Sequence, residues 1–190
     1  MMRTALAILM LTVFSGCAAV TAVTAVSGYA VESVANLFQD HEESLLVSMQ
    51  TSLAASQRSL DTMRLNISVV ESLKDGYLLK FGNEKLDGKI RLIQQTTKLT
   101  TVQVTVRDGI NREDSVERAI ILEIKEKAEK IGQKTSFAFN NYNNIREKPS
   151  IQSERVGWYR QGSELETNKL RKSDWLLIKM PSGKKAYLKG

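Results

Sequence analysis

Cys17 carries the only thiol in the chain and His41 the only imidazole. A thiol activated by a neighbouring imidazole is the arrangement that cysteine hydrolases need. Here the thiol closes a long uncharged apolar stretch, whereas His41 sits in an acidic run with Asp40, Glu42 and Glu43. The two are not expected to meet, so covalent catalysis is not expected. The three carboxylates could be imagined as an acid–base set, but a run of adjacent charged residues is more simply a solvated junction. One histidine and one cysteine leave too few soft ligands for a zinc site, and no glycine-rich phosphate loop occurs. The reading is therefore no catalytic residue, no metal and no cofactor. Side chains suited to recognition lie at the other end of the chain. Trp158, Tyr159, Trp175 and Tyr187 are interleaved there with Arg146, Arg155, Arg160, Lys184 and Lys185. Aromatic and arginine side chains supply most binding hot spots. The candidate ligand-binding set is Trp158, Trp175, Tyr187, Arg146 and Arg160, although Trp175 and Tyr159 are better suited to a core.

The start of the chain explains why its thiol is not free for catalysis. Met1-Met2-Arg3 is followed by the apolar span Ala5 to Phe14 and then by Ser15-Gly16-Cys17. A cationic start, an apolar centre and small residues at a cut site are the parts of an export signal. With a cysteine directly after them, they resemble a bacterial lipoprotein signal. That resemblance implies removal of residues 1–16 and acylation of Cys17 by palmitate-type chains, so that the mature chain is anchored in a lipid bilayer. Phe14 departs from the aliphatic residue usual in the family, and Arg3 is the only cation before the span. Ala18, where an aspartate tends to mark inner-membrane retention, implies the outer membrane, facing the periplasm. The alternative is an uncleaved signal anchor. From Thr4 to Val31 no charged residue appears, and about 20 apolar residues suffice to cross a bilayer. Either way the remaining chain works outside the cytoplasm. A single cysteine also excludes any disulfide within the chain.

Charge is distributed unevenly. The whole chain carries a formal +6, and residues 145–190 alone hold eleven Lys and Arg against five Asp and Glu. A basic end favours anionic partners such as envelope glycopolymers, phospholipid surfaces or acidic proteins. Nucleic acid is not expected as a partner of an exported chain.

The elements that must position these residues follow from periodicity. Residues 17–42 read as a lipidated tether. From Glu43 the pattern turns globular: a strand around Leu45 to Met49, then a helix capped by Thr51 or Ser52 with Leu53, Leu60, Met63 and Ile67 recurring near helical spacing. Strands follow at Ile67 to Leu73, Tyr77 to Phe81, Lys89 to Gln95 and Thr101 to Arg107, with turns at Lys74-Asp75-Gly76, Gly82-Asn83 and Asp87-Gly88. Asn111 is the expected cap of a second helix, whose stripe is Val116, Ile120, Ile124, Ala128 and Ile131. Residues 43–132 thus predict an α+β domain of order β-α-β-β-β-β-α, an antiparallel meander covered by two helices. This order, with Leu86-Asp87-Gly88-Lys89-Ile90 leading into paired strands, resembles small bacterial lipoproteins whose α+β domain has no agreed activity. Residues 133–144, rich in asparagine, read as a linker.

Residues 145–190 carry a more specific likeness. Asn144-Ile145-Arg146-Glu147-Lys148-Pro149-Ser150, Val156-Gly157-Trp158-Tyr159-Arg160-Gln161-Gly162, Glu164-Leu165-Glu166, Asp174 to Lys179 and Pro181 to Leu188 follow one another at short-strand spacing. Together they resemble a bacterial SH3-type domain, which implies a small all-β barrel with Ile145, Val156, Leu165, Ile178 and Leu188 as its core. Ala186 and Tyr187 stand where the family usually has Gly and Trp. The functional expectation is a non-catalytic envelope lipoprotein whose SH3-type domain binds peptidoglycan or an envelope protein. The alternatives are an accessory subunit of a larger secretion or motility complex, binding through the α+β domain, and a cell-wall hydrolase with a hidden carboxylate site.

Overall fold

The computed structural model describes residues 41–131, 135–165, 167–170 and 173–190. The chain divides into two units, Met1–Asp40 and His41–Gly190, and the fold described is that of the second. The signal over residues 1–16, the acylation site Cys17 and the tether up to Asp40 lie outside the described residues.

After strand β1 (His41–Leu45), helix α1 (Met49–Thr62) begins one turn earlier than its expected cap, because the Ser48 hydroxyl accepts the Thr51 N–H at 3.3 Å. Arg64, at φ 56°, ends it in the left-handed region. Strands β2 (Asn66–Leu73), β3 (Gly76–Gly82), β4 (Leu86–Thr96) and β5 (Leu99–Asp108) then form an antiparallel meander. Val102, Val104 and Val106 alternate inward along β5 and are buried, as the period of a strand requires. Asp87-Gly88, expected as a turn, instead runs inside β4. The Phe81 ring lies over Gly88, where a Cβ would come within 2.4 Å of Phe81 Cζ. Asn111 does not cap a helix either. Gly109, at φ 60°, turns the chain back so that β6 (Asn111–Arg112) pairs with the end of β5, and α2 (Asp114–Lys130) starts after Glu113. Ile120, Ile121, Ile124 and Ala128 form its buried stripe.

The expected α+β domain followed by a separate SH3-like barrel is not what forms. The chain builds one open, 11-stranded and mostly antiparallel sheet, with 47% of the described residues in strands and 22% in two helices. Strands β7 (Tyr142–Arg146), β8 (Arg155–Arg160), β9 (Thr167–Lys169), β10 (Trp175–Lys179) and β11 (Lys185–Lys189) continue the meander in the order β1-β5-β4-β3-β2-β8-β7-β11-β10-β9. The reason lies in β8. One of its edges pairs with β7, and the other pairs with β2 through Val69–Tyr159, Val70–Trp158 and Glu71–Gly157. With β2 and β7 on its two sides, β8 does not pair with β9, and the five C-terminal strands do not close on themselves. Gly157 permits the junction: a Cβ there would stand 2.5 Å from the Val70 carbonyl oxygen.

Two cores result, on opposite faces. The larger lies under the helices and contains Leu53, Leu60, Val70, Leu79, Phe81, Ile90, Leu92, Val104, Ile120 and Ile124 among others. The smaller gathers Val69, Ile145, Ile178, Met180, Ala186 and Leu188 on the helix-free face, with Val156, Tyr159 and Leu165 half-buried against it. Neighbouring residues Val69 and Val70 therefore point into different cores, so β2 belongs to both halves. Among the described residues, no helix is long and apolar enough to cross a membrane.

Candidate functional site

Strand alternation and register place all five candidate side chains on one face of the C-terminal strands, the face that continues from the helix-covered side. Trp158 is opposite Asn144, Arg160 is opposite Tyr142, Arg146 is opposite Tyr187, and Trp175 is opposite Lys189. The structure then separates them into two groups.

Trp158 and Arg160 hold the seam between the halves. The indole stacks on Phe139 at 4.3 Å and lies 6.4 Å from Tyr77, while the Arg155 guanidinium sits 4.5 Å over the ring. Phe139 belongs to residues 135–139, which place Phe137 in the larger core and form an aromatic wedge with Tyr142. Arg160 donates to the Asn66 side-chain oxygen at 2.7 Å. The Tyr142 hydroxyl donates to the Ile67 carbonyl, and burial pushes its pKa up to about 12 against the opposing pull of Arg160. Both faces of Trp158 are thus engaged by the protein's own side chains.

Arg146, Tyr187 and Trp175 lie beyond the seam, where neither of the described helices covers the sheet. One cross-strand row runs Arg155, Arg146, Tyr187, Leu177, Asn168, each directly opposite the next on β8, β7, β11, β10 and β9. Four strand spacings make it about 19 Å long. On one side of Tyr187 and Leu177 lie Lys185 and Lys179, and on the other Lys189 and Trp175, each pair in direct register. Arg146 is oriented by donating from Nη1 to the Ser153 carbonyl at 2.9 Å. Tyr187, Leu177 and Trp175 are half-buried, and Lys179, Lys185 and Lys189 are exposed. Among the described residues the result is a basic strip with an aromatic centre. Sequence reading found three of its residues from their types. It named Arg155 and Lys185 only as interleaved cations and missed Leu177 and Lys179, because only the register between strands brings them together.

A second constellation was not visible in the sequence. His41, Asp114 and Glu117 bring one potential ligand atom each to within 4.8 Å of one another. Glu117 is fully buried. Its carboxylate accepts the Val106 N–H at 2.9 Å and the Arg112 guanidinium, from Nε at 3.0 Å and from Nη2 at 2.8 Å. Arg112 also lies 3.1 Å from Asp114, and His41 Nε2 is 3.8 Å from Glu117. A cation already sits between the two carboxylates, in the form of Arg112. The group fastens β1, β5, β6 and the start of α2 together, and supplies neither a free nucleophile nor an open ligand set. The helix spacing of Asp114 and Glu117 was legible, but His41 and Arg112 arrive from separate strands.

No protein-family model matches the chain, and no curated protein matches it. The likenesses to lipoprotein signals and to SH3-type domains accordingly stand on the residues quoted for them alone.

Proposed function

We propose that this chain is a non-catalytic protein of the bacterial envelope, anchored to the membrane through acylated Cys17 and docking on peptidoglycan through the basic strip of β7–β11. The observation that carries the docking surface is the pairing of like charges around Tyr187. Arg146 stands directly opposite Arg155, and Lys179 directly opposite Lys185. Like charges directly opposed across antiparallel strands destabilise a sheet, so a face that keeps two such pairs favours an anionic ligand. Tyr187 and Trp175 between them offer flat rings to the apolar faces of sugars. A row across five strands suits a linear polymer, whose carboxylates meet the flanking cations.

A non-catalytic role is supported by the chemistry of the scarce groups. The one thiol in the sequence is the acylation site of the lipoprotein-like signal, and the one imidazole is turned towards carboxylates held by Arg112. The test is retention of the full chain by purified sacculi at low and moderate salt, compared with Tyr187→Ala and with Arg146→Ala. Binding that weakens with salt and falls about tenfold in each variant, the scale of one binding hot-spot contact, supports the reading. A wild-type chain that sacculi do not retain at low salt overturns it.

A further inference from the structure

The basic strip ends on a hairpin whose position is fixed from the other half of the molecule. Glu71, on β2, is 2% exposed. Its carboxylate accepts the Ser182 N–H at 2.9 Å on Oε2 and the Ser182 hydroxyl at 2.5 Å on Oε1. The same hydroxyl accepts the Lys184 N–H at 3.4 Å. Within the turn, Gly183 N–H reaches the Met180 carbonyl and Met180 N–H reaches the Lys184 carbonyl, both at 2.8 Å. Lys89, on β4, adds a bond from Nζ to the Pro181 carbonyl at 2.9 Å. Residues 180–184 are thus gripped from β2 and β4, and the strand ends they join carry Lys179 and Lys185.

A carboxylate is a costly group to bury when its partners are neutral donors. Among the described residues, no cation lies within ion-pair distance of Glu71. What a carboxylate does that an apolar side chain cannot is accept two donors from one residue in a fixed plane, and so orient a turn. A glutamine supplies only one acceptor oxygen. We infer that Glu71 is a positioning residue for the anion-binding face: it holds the Met180–Lys184 turn, and through it the lysine edge formed by Lys179, Lys184 and Lys185. The inference rests on the docking role given to that face. It makes ligand affinity depend on a residue that touches no ligand and sits on the far side of the β2–β8 junction.

The full chain is compared with Glu71→Ala, Glu71→Gln, Ser182→Ala and the Glu71→Ala/Ser182→Ala double variant. Amide hydrogen exchange of residues 180–185, retention by purified sacculi, and urea unfolding are measured on each. In Glu71→Ala, exchange over 180–185 is expected to rise about tenfold, on the scale of a lost hydrogen bond to a charged group, while β3–β5 keep their protection. Sacculus affinity falls several-fold and its salt dependence becomes shallower. Glu71→Gln recovers part of both, and the double variant is no worse than either single one, as for two members of one contact. A merely structural role would instead accelerate exchange throughout and leave the salt dependence unchanged, which would overturn the inference. So would Glu71→Ala or Ser182→Ala binding like a wild-type chain that is itself retained. Should the wild-type chain not bind sacculi, the docking role fails. The exchange data then decide the positioning claim alone: acceleration confined to 180–185 sustains it, and none refutes it. If Glu71→Ala does not fold, Ser182→Ala and Glu71→Gln carry the same comparison.

Discussion

Replacing Gly157 with alanine should split the molecule along its seam. The added Cβ would stand 2.5 Å from the Val70 carbonyl oxygen, 3.1 Å from Met180 Cε and 3.2 Å from Glu71 Cα. The Met180 methyl can move, but the backbone of β2 cannot yield without leaving β8. Gly157 has no positive φ, so the cost is one of space and not of conformation. Overpacking of this kind costs about 1–3 kcal/mol. The β2–β8 ladder holds by only three residue pairs, and losing it removes about 2 kcal/mol at roughly 1 kcal/mol per hydrogen bond. The two costs are alternatives, because parting β2 from β8 relieves the clash, and either is about 2 kcal/mol, a sizeable part of the ~5–15 kcal/mol that stabilises an ordinary domain. Both tryptophans, Trp158 and Trp175, lie in the C-terminal strands. Tryptophan fluorescence therefore follows that half, while far-ultraviolet circular dichroism follows the whole. In wild type the two urea transitions should coincide. In Gly157→Ala the fluorescence midpoint should fall by about 1 M, given a slope of about 2 kcal/mol/M, and separate from the dichroism midpoint. Gly183→Ala is the control: φ is +90° but nothing lies within 4 Å, so only about 1 kcal/mol of left-handed strain is expected. Coincident transitions in Gly157→Ala, displaced by less than about 0.3 M, would refute the view that one crowded crossing joins the halves.

Three further outcomes follow from other contacts. Glu117→Ala leaves the Arg112 guanidinium and the Val106 N–H without their buried acceptor, and should lower stability by about 3 kcal/mol in urea unfolding; a loss under 1 kcal/mol would mean that water replaces the carboxylate. Tyr142 has a folded-state pKa raised to about 12. The folded state therefore holds its proton longer than the unfolded state, and the stability this contributes is fully present below about pH 10 and is lost as pH rises towards 12. Tyr142→Phe should flatten that part of the stability profile relative to wild type, and an unchanged slope between pH 10 and 12 would contradict the assignment. Cys17→Ser should leave a larger, unacylated chain by intact mass that no longer partitions with membranes through lipid, whereas unchanged size and partitioning would rule out the lipoprotein reading.

Local patterns gave the individual elements and not their assembly. The alternation Val102, Val104, Val106 and the stripe Ile120, Ile124, Ala128 were legible because strand and helix periods are properties of a few consecutive residues. The five residues expected to form the C-terminal core, Ile145, Val156, Leu165, Ile178 and Leu188, do pack in one cluster. Where residue type stood for geometry, the reading failed. Gly88 looked like a turn and is instead the space under Phe81. Asn111 looked like a cap and is a ladder residue of β6. Residues 135–139 looked like part of a polar linker, yet Phe137 and Phe139 brace Trp158 at the seam.

By itself, the amino-acid sequence determined where charge, aromatic rings and the lone thiol lie along the chain, because composition and order need no folding to exist. The tertiary structure alone decided that the two halves share one sheet. A strand edge bonds to whichever partner reaches it, and that choice is made by a missing Cβ at Gly157 and by Glu71 gripping a turn 111 residues away. The β7–β11 and β10–β11 ladders likewise lay Arg146, Tyr187, Lys185 and Trp175 side by side, since cross-strand neighbours are fixed by register and no spacing along the chain encodes it.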